Sequence, residues 1–411
     1  MNAGRALTAL RREPAMSTGD LVTATGMSRP TVHAAAQYLT ELGWVTETTG
    51  TAPGETPRRG RPSRVFAFDA SAGHVLGVDI GAHTARTALA DLRGDVTAAR
   101  RSAFTDPDLP AGDRIDRVRE LAAATVRDAG LRPGEVLSVC VGTSGTISPD
   151  GVVSTRTGIP GFLGADLRTA FAQDFGPDVL VENDCNLAVI AERWRGLAAD
   201  TSDVVCMLAG ERLGVGVLVG GTLLRGHRNK ARDLGFLHHV PDSTPDMGIA
   251  SLARQCGRRL VEASAARAER GEPVDEAAPG AVLYAMVDGD PDRVDAQTVL
   301  RAVRAGDAAA QAVLQEALGS AARATAVLAM LFAPELVVLS GAVADAGDVL
   351  LEPLRRQVAE WAPEVPRLAA SPLSERAVVT GAVRLALDDA ETRYLDALAP
   401  APVHAPRTAP A

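Results

Sequence analysis

Residues 17–44, STGDLVTATGMSRPTVHAAAQYLTELGW, read as two short helices joined by a tight turn. Ser17 and Ser28 each stand where a hydroxyl can cap a helix N-terminus, and Pro30 falls in the first turn of the second helix, where proline is tolerated. Gly26 lies between the two helices, at a point where a tight turn uses positive φ. In the second helix Val32, Ala36 and Leu39 recur at the spacing of one buried face. Ser28, Arg29, Thr31, His33 and Gln37 supply donors and acceptors that can reach base edges in a major groove. The alternative is an ordinary helical hairpin whose polar residues are simply solvated.

The flanking sequence favours DNA reading. After Gly43 comes WVTETTG, a short alternating run, then a Gly/Pro/Arg-rich stretch, then a second alternating run, SRVFAFD. Two strands joined by a long basic loop make a wing. Arg58, Arg59 and Arg61, set among proline and glycine, can lie along phosphates or enter a minor groove. The first 68 residues hold eight arginines against five acidic residues, while the whole chain carries a net charge of −9, so everything downstream is markedly acidic. A cationic reader on an anionic body is the expected division, residues 1–68 forming a winged helix-turn-helix domain.

Composition bounds the remainder. A chain of 411 residues is too long for one core, and 46% hydrophobic content is ample for globular folding. No apolar run is long enough to span a membrane and no secretory h-region opens the chain, so a cytoplasmic location and no membrane partner are expected. Cys140, Cys185, Cys206 and Cys256 lie far apart and read as reduced core residues, neither a disulfide set nor a zinc site. Residues 397–411, rich in proline and alanine, read as a disordered tail.

From Asp69 the texture becomes that of an α/β protein, apolar strands alternating with amphipathic helices. Strands are expected in HVLGVDIG, RTALADL, VLSVCVGTSG, DVLVEND, DVVCMLAG, GVGVLVGG and ELVVLSG, with helices over residues 115–128, 187–194, 249–267, 307–331 and 347–361. Here the chain resembles the ROK family (repressors, open reading frames and sugar kinases), whose core has the two-lobed fold of sugar kinases, Hsp70 and actin. Val181-Glu182-Asn183-Asp184-Cys185-Asn186 is similar to the family's E-N-D-x-N signature, and Pro334 to Gly341 is similar to its P-E-x-I-V-x-G-G segment. Gly60-Arg61-Pro62 precedes the first core strand as it does in the family's repressors, which carry the N-terminal winged helix that its kinases lack. The resemblance implies a first lobe over residues 69–184, to which a C-terminal helix near 375–394 returns, and a second lobe over 185–374.

It also implies a site. In the family's kinases the residue matching Asp184 is the general base toward the sugar hydroxyl, and the one matching Asn183 hydrogen-bonds the sugar. Both fall at a strand's C-terminal end, where open α/β sheets put ligands, although Asp184 could instead merely cap the following helix. Asp233 keeps a carboxylate where the family's A-G-E-x-G-H motif places its sugar-binding Glu, but Phe236 replaces the motif's His and the associated cysteine cluster is missing. No metal and no cofactor are therefore expected.

Both phosphate loops depart from the family pattern. The first, D-I-G-G-T-K in the family, reads Asp79-Ile80-Gly81-Ala82-His83-Thr84, and the second, G-T-G-x-G, reads Gly210-Glu211-Arg212-Leu213-Gly214. Added side chains at Ala82 and His83, and a carboxylate at Glu211, oppose a bound triphosphate, which leaves Asp184 a vestigial base. The expected protein is a transcriptional regulator, a repressor, that binds palindromic operator DNA as a homodimer or higher homo-oligomer and senses a sugar or sugar-derived metabolite. Two alternatives stand beside it: an ATP-dependent sugar kinase with a DNA-binding extension, and a core that serves only for dimerisation.

Overall fold

The computed structural model describes residues 2–49, 64–106, 108–155, 157–227, 234, 237, 239, 244, 247–270 and 279–399. The chain divides into two compact units, Met1–Val141 with Asp166–Val181 and Ala382–Ala411, and Gly142–Ala165 with Glu182–Gly381. Residues 142–165 thus pack with the second unit and not with the stretch of chain that precedes them, an assignment made by contacts that chain order does not show.

The first unit opens with helices α1 (Asn2–Arg12), α2 (Thr18–Thr25) and α3 (Arg29–Glu41) and the strands β1 (Met16–Ser17), β2 (Val45–Thr49) and β3 (Arg64–Phe68). Ser17 accepts from the Asp20 amide while Asp20 accepts from the Ser17 amide, a reciprocal cap that starts α2. Gly26 closes that helix at φ 65°, and Ser28 caps α3 through the Thr31 amide. Val32, Ala36 and Leu39 are fully buried, with α1 packed against α3 through its own buried face of Ala3, Ala6, Leu7 and Leu10. The wing strands pair antiparallel, Val45 opposite Phe68 and Thr49 opposite Arg64. The loop between them, with Arg58, Arg59 and Arg61, lies outside the described residues.

The same unit continues as a five-stranded sheet. Its elements are β4 (His74–Ile80), β5 (Thr84–Asp91), β6 (Val96–Ala103), α4 (Ala111–Asp128), β7 (Ser138–Thr143), α5 (Leu167–Phe175) and β8 (Val179–Asn183), with strand order β6-β5-β4-β7-β8. All seven residues of β4 are buried, as its unbroken apolar run predicts for a central strand. Strand β6, VTAARRSA, escaped the sequence reading because most of it is exposed and it has no apolar alternation. It is fixed by pairing with β5, Thr84 opposite Ala103.

Within this unit the winged helix is fastened to the sheet by specific contacts. Arg93, in the turn after β5, donates to the carbonyls of Arg11 (3.0 Å) and Glu13 (3.1 Å) at the end of α1 and stacks on Phe68. Arg11 pairs with Glu391, and the buried Trp44 indole donates to the Ala399 carbonyl. Residues 397–399, read from composition as the start of a disordered tail, instead continue the C-terminal helical turns, with the Ala399 amide bonded to the Tyr394 carbonyl. The rest of that stretch lies outside the described residues.

The second unit holds α6 (Asp184–Arg195), β9 (Val204–Leu208), β10 (Gly214–Val219), β11 (Thr222–Leu223), α7 (Ile249–Glu269), α8 (Ala281–Met286), α9 (Ala296–Arg304), α10 (Ala308–Phe332), β12 (Leu336–Ser340), α11 (Gly347–Ala359) and β13 (Arg367–Ala370), and the chain leaves it through α12 (Ala377–Ala390). Strand order is β11-β10-β9-β12-β13, with β9 antiparallel to β10 and parallel to β12. Helix α6 lies so close on β10 that a Cβ on Gly216 would sit 2.1 Å from the Cys185 carbonyl oxygen. Cys140, Cys185, Cys206 and Cys256 are buried thiols outside any disulfide, and burial raises the Cys206 thiol well above its usual range. No helix among the described residues is long and apolar enough to cross a membrane.

Candidate DNA-reading surface and effector site

The Ser28 cap sets where α3 starts and therefore which side chains lead it. Arg29 and Gln37 are exposed, Gln37 resting its amide on Glu41 (3.0 Å), while Thr31 is half-buried with its hydroxyl 2.8 Å from that of Ser28. His33 is tied down: its ring meets Phe66 edge-on and its Nδ1 lies 3.3 Å from Arg64 Nη1. Arg64 also grips both carboxylate oxygens of Glu47 across the β2–β3 pair, which holds the Glu47 carboxyl below its ordinary value. The sequence reading missed Arg64, because only strand pairing brings it to Glu47 and His33.

In the second unit, Asn183 is the helix cap. Its Oδ1 accepts from the amides of Cys185 (2.9 Å) and Asn186 (3.2 Å), and its Nδ2 donates to the Gly145 carbonyl (3.0 Å) and to Asp184 Oδ1 (2.7 Å). Capping thus falls to Asn183, and Asp184 becomes the first helical residue, half-buried, where the amide ends of α6 favour a carboxylate. Beneath them Glu182 is buried and fully engaged. Its Oε1 accepts from the Asn183 amide and from Asn186, and its Oε2 from two nitrogens of Arg225 at 3.2 and 3.1 Å. Arg225 is the second residue that sequence reading missed, a partner supplied from beyond β11.

Asn183 also reaches the adjoining loop. Gly145, whose carbonyl it holds, has φ 98° and no room for a Cβ, since Thr157 Cγ2 would lie 2.6 Å away. The Thr157 hydroxyl accepts from the Ile159 amide (2.9 Å), and Gly158 lies against the stem of Arg212, its missing Cβ 3.1 Å from Arg212 Cδ. Asn183, Gly145, Thr157, Gly158 and Arg212 thus form a series of neighbouring contacts, each residue touching the next. Asp233 lies outside the described residues.

The two loops that resemble phosphate-binding loops are held by arginines from neighbouring elements. In the first unit Asp79 is buried with Arg86 at 3.9 Å, and the Ala82 carbonyl accepts from Arg114 Nη1 at 2.8 Å. Arg114 is fully buried over the Phe104 ring, and that burial lowers its pKa. In the second unit Glu211 receives both guanidinium nitrogens of Arg254, at 2.7 and 2.6 Å, which raises the Arg254 pKa. Its carbonyl accepts from the Gly248 amide, and the Gly210 carbonyl accepts from the Ala250 amide, so donors at the start of α7 are spent inside the protein.

The chain matches the ROK family over residues 75–389 and the MarR family over residues 2–53. A glucokinase of Thermotoga maritima is 28% identical over 319 residues, covering 76% of this chain and 96% of that protein. A xylose repressor of Caldicellulosiruptor bescii is 22% identical over 350 residues, covering 80% of this chain and 82% of the repressor. Among solved structures, a ROK family transcriptional regulator described as a homolog of the E. coli MLC protein has a TM-score of 0.68 at 22% identity. The alignment covers 95% of this chain and 96% of that one, which establishes a common fold. Because the match over residues 75–389 takes in most of its length, the chain belongs to the ROK family, with a MarR-type winged helix at its N-terminus.

Proposed function

We propose that this chain is a cytoplasmic transcriptional repressor: the winged helix reads a palindromic operator as a homodimer or higher homo-oligomer, and the ROK core binds a sugar or sugar-derived effector without transferring phosphate. The observation that carries this reading is the Ser28-capped helix α3, which offers Arg29 and Gln37 beside a paired wing on a chain with a ROK core. The likeness to a xylose repressor supports it. Pairing two winged helices is required because one helix reads too few base pairs, and two-fold symmetry matches palindromic half-sites.

The test is operator binding by fluorescence anisotropy, with the operator found by selection from genomic fragments. Arg29→Ala and Gln37→Ala are each expected to lose about 1–3 kcal/mol of discrimination against altered sites if the side chain contacts a base. Arg59→Ala is expected to weaken binding to all sequences alike and to reduce the salt slope by about one unit. Retention of operator binding after deletion of residues 1–68 would contradict the reading.

The second reading, a sugar kinase with a DNA-binding extension, is favoured by Asn183 and Asp184 and by the glucokinase likeness. The Glu211–Arg254 pair and the internally bonded start of α7 support the non-enzymatic choice, since the groups that would meet a phosphate are already engaged. With ATP, magnesium and a panel of hexoses and amino sugars, a coupled assay should show no turnover. A rate near about 1 s⁻¹, ordinary for kinases, would establish the enzyme instead.

A further inference from the structure

We propose that the second unit carries a separate site for a small monocarboxylate with an apolar body, in a cavity framed by α9, α10 and α11, and that Arg356 holds the carboxylate. The cavity has a volume of about 510 Å³, within the range of roughly 300–1,000 Å³ usual for small-molecule sites. Its lining includes no residue of the Asn183–Asp184 turn, of the two loops that resemble phosphate-binding loops, or of Pro334 to Gly341. It is therefore a second place on the core for a ligand, apart from the effector reading above.

The lining sets the ligand's chemistry. Val303, Leu314, Val349 and Pro353 are its apolar walls; Leu314 belongs to the unit's core, and Val303 and Val349 pack half-buried against that core. Such walls gain by covering hydrocarbon and give a polyol's hydroxyls nothing to bond. The acid that lines the cavity is already matched, since Asp348 accepts from Arg304 Nε at 2.8 Å and Nη2 at 2.6 Å. Donors remain. Gln357 Nε2 donates to Gln315 Oε1 at 2.8 Å, which occupies that acceptor and leaves the Gln315 amide nitrogen to give. Arg356 and Gln311 are exposed at the cavity, and neither side chain has a hydrogen-bond or ion-pair partner among the described residues. With Arg304 and Asp348 cancelling, Arg356 gives the lining one positive charge. A planar guanidinium takes a carboxylate through two parallel hydrogen bonds. A phosphate group, at about −1.5 to −2 near neutral pH, would stay under-compensated there.

The experiment is calorimetric titration of the full-length protein with butyrate, valerate, 4-methylvalerate and 2-oxoisovalerate, each beside its amide, with acetate and inorganic phosphate as controls. At least one acid should bind with a Kd of about 1 mM or below, ordinary for so few atoms. Its amide should bind about tenfold or more weakly, the effect of one charge-assisted pair. Arg356→Gln should bring the acid down to the level of its amide and leave the amide unchanged. Arg355→Gln, which removes the neighbouring exposed arginine, should alter neither. Gln311→Trp, which sets a bulky ring at the cavity, should weaken acid and amide alike. An acid and amide that bind equally, or an acid preference that survives Arg356→Gln, overturns the inference. So does an equal loss in Arg355→Gln, or acetate or inorganic phosphate binding as tightly as the longer acids, since either result is simple anion capture. Failure of every acid to reach that Kd overturns it outright. None of these outcomes bears on operator binding or on the Asn183–Asp184 site.

Discussion

Trp44→Ala should cost about 3–5 kcal/mol of unfolding free energy, the range for removing a large aromatic from a core. Trp44 is fully buried where α3 turns into the wing. Its backbone accepts from the Asp69 amide and donates to the Leu39 carbonyl, and its indole donates to the Ala399 carbonyl. The substitution leaves a cavity at the junction between α3 and β2 and an unpaired carbonyl at the chain's C-terminal turns. Urea denaturation followed by circular dichroism measures the loss, and operator affinity should fall for all sequences alike because the folded fraction falls. Trp44→Phe, which keeps much of the volume and removes the N–H, should cost less. A midpoint for Trp44→Ala indistinguishable from wild type would mean that this junction does not hold the winged helix.

The second large effect is expected from a methyl group. Gly216→Ala should destabilise the second unit by about 1–3 kcal/mol, the usual cost of overpacking, or somewhat more. The added Cβ would lie 2.1 Å from the Cys185 carbonyl oxygen and 2.8 Å from its carbonyl carbon, and backbone atoms cannot rotate aside. Relief requires α6 to lift, and α6 begins at the Asn183–Asp184 turn, so any ligand-induced rise in melting temperature should disappear with the stability. Gly214→Ala provides the contrast. Its Cβ would meet only Cys185 Sγ, at 2.6 Å, and a thiol can change rotamer, so the loss should be smaller. Equal melting temperatures for the two variants would show that the helix–strand approach is looser than described.

The elements legible in the sequence are those whose cause is local. Ser17, Gly26 and Ser28 announce the turn between α2 and α3 through capping and backbone preference alone, and the structure keeps each in that role. Apolar runs identify β4, β7, β8, β9, β10 and β12 because buried strands need no alternation, and long apolar periodicity identifies α7 and α10. Strand β6 was illegible for the converse reason: an exposed edge carries arginines, and only its pairing with β5 makes it a strand.

The candidate site divides along the same line. The sequence by itself determined a winged helix followed by a ROK core, and it singled out Asn183, Asp184, Arg29 and Gln37 as candidates, because motif spacing and caps are properties of neighbours along the chain. Only the tertiary structure decided that Asn183 and not Asp184 caps α6, and that Arg64 joins His33 to the wing. It also decided that Arg225 neutralises Glu182, that Arg254 occupies Glu211, and that Arg212 lies on the Thr157–Gly158 loop. Arg64, Arg225 and Arg254 each find a charged or polar partner far away in sequence. Arginine offers five donors in a planar fork on a long flexible stem, so its partner depends on which surfaces folding brings within reach. No local pattern encodes that choice.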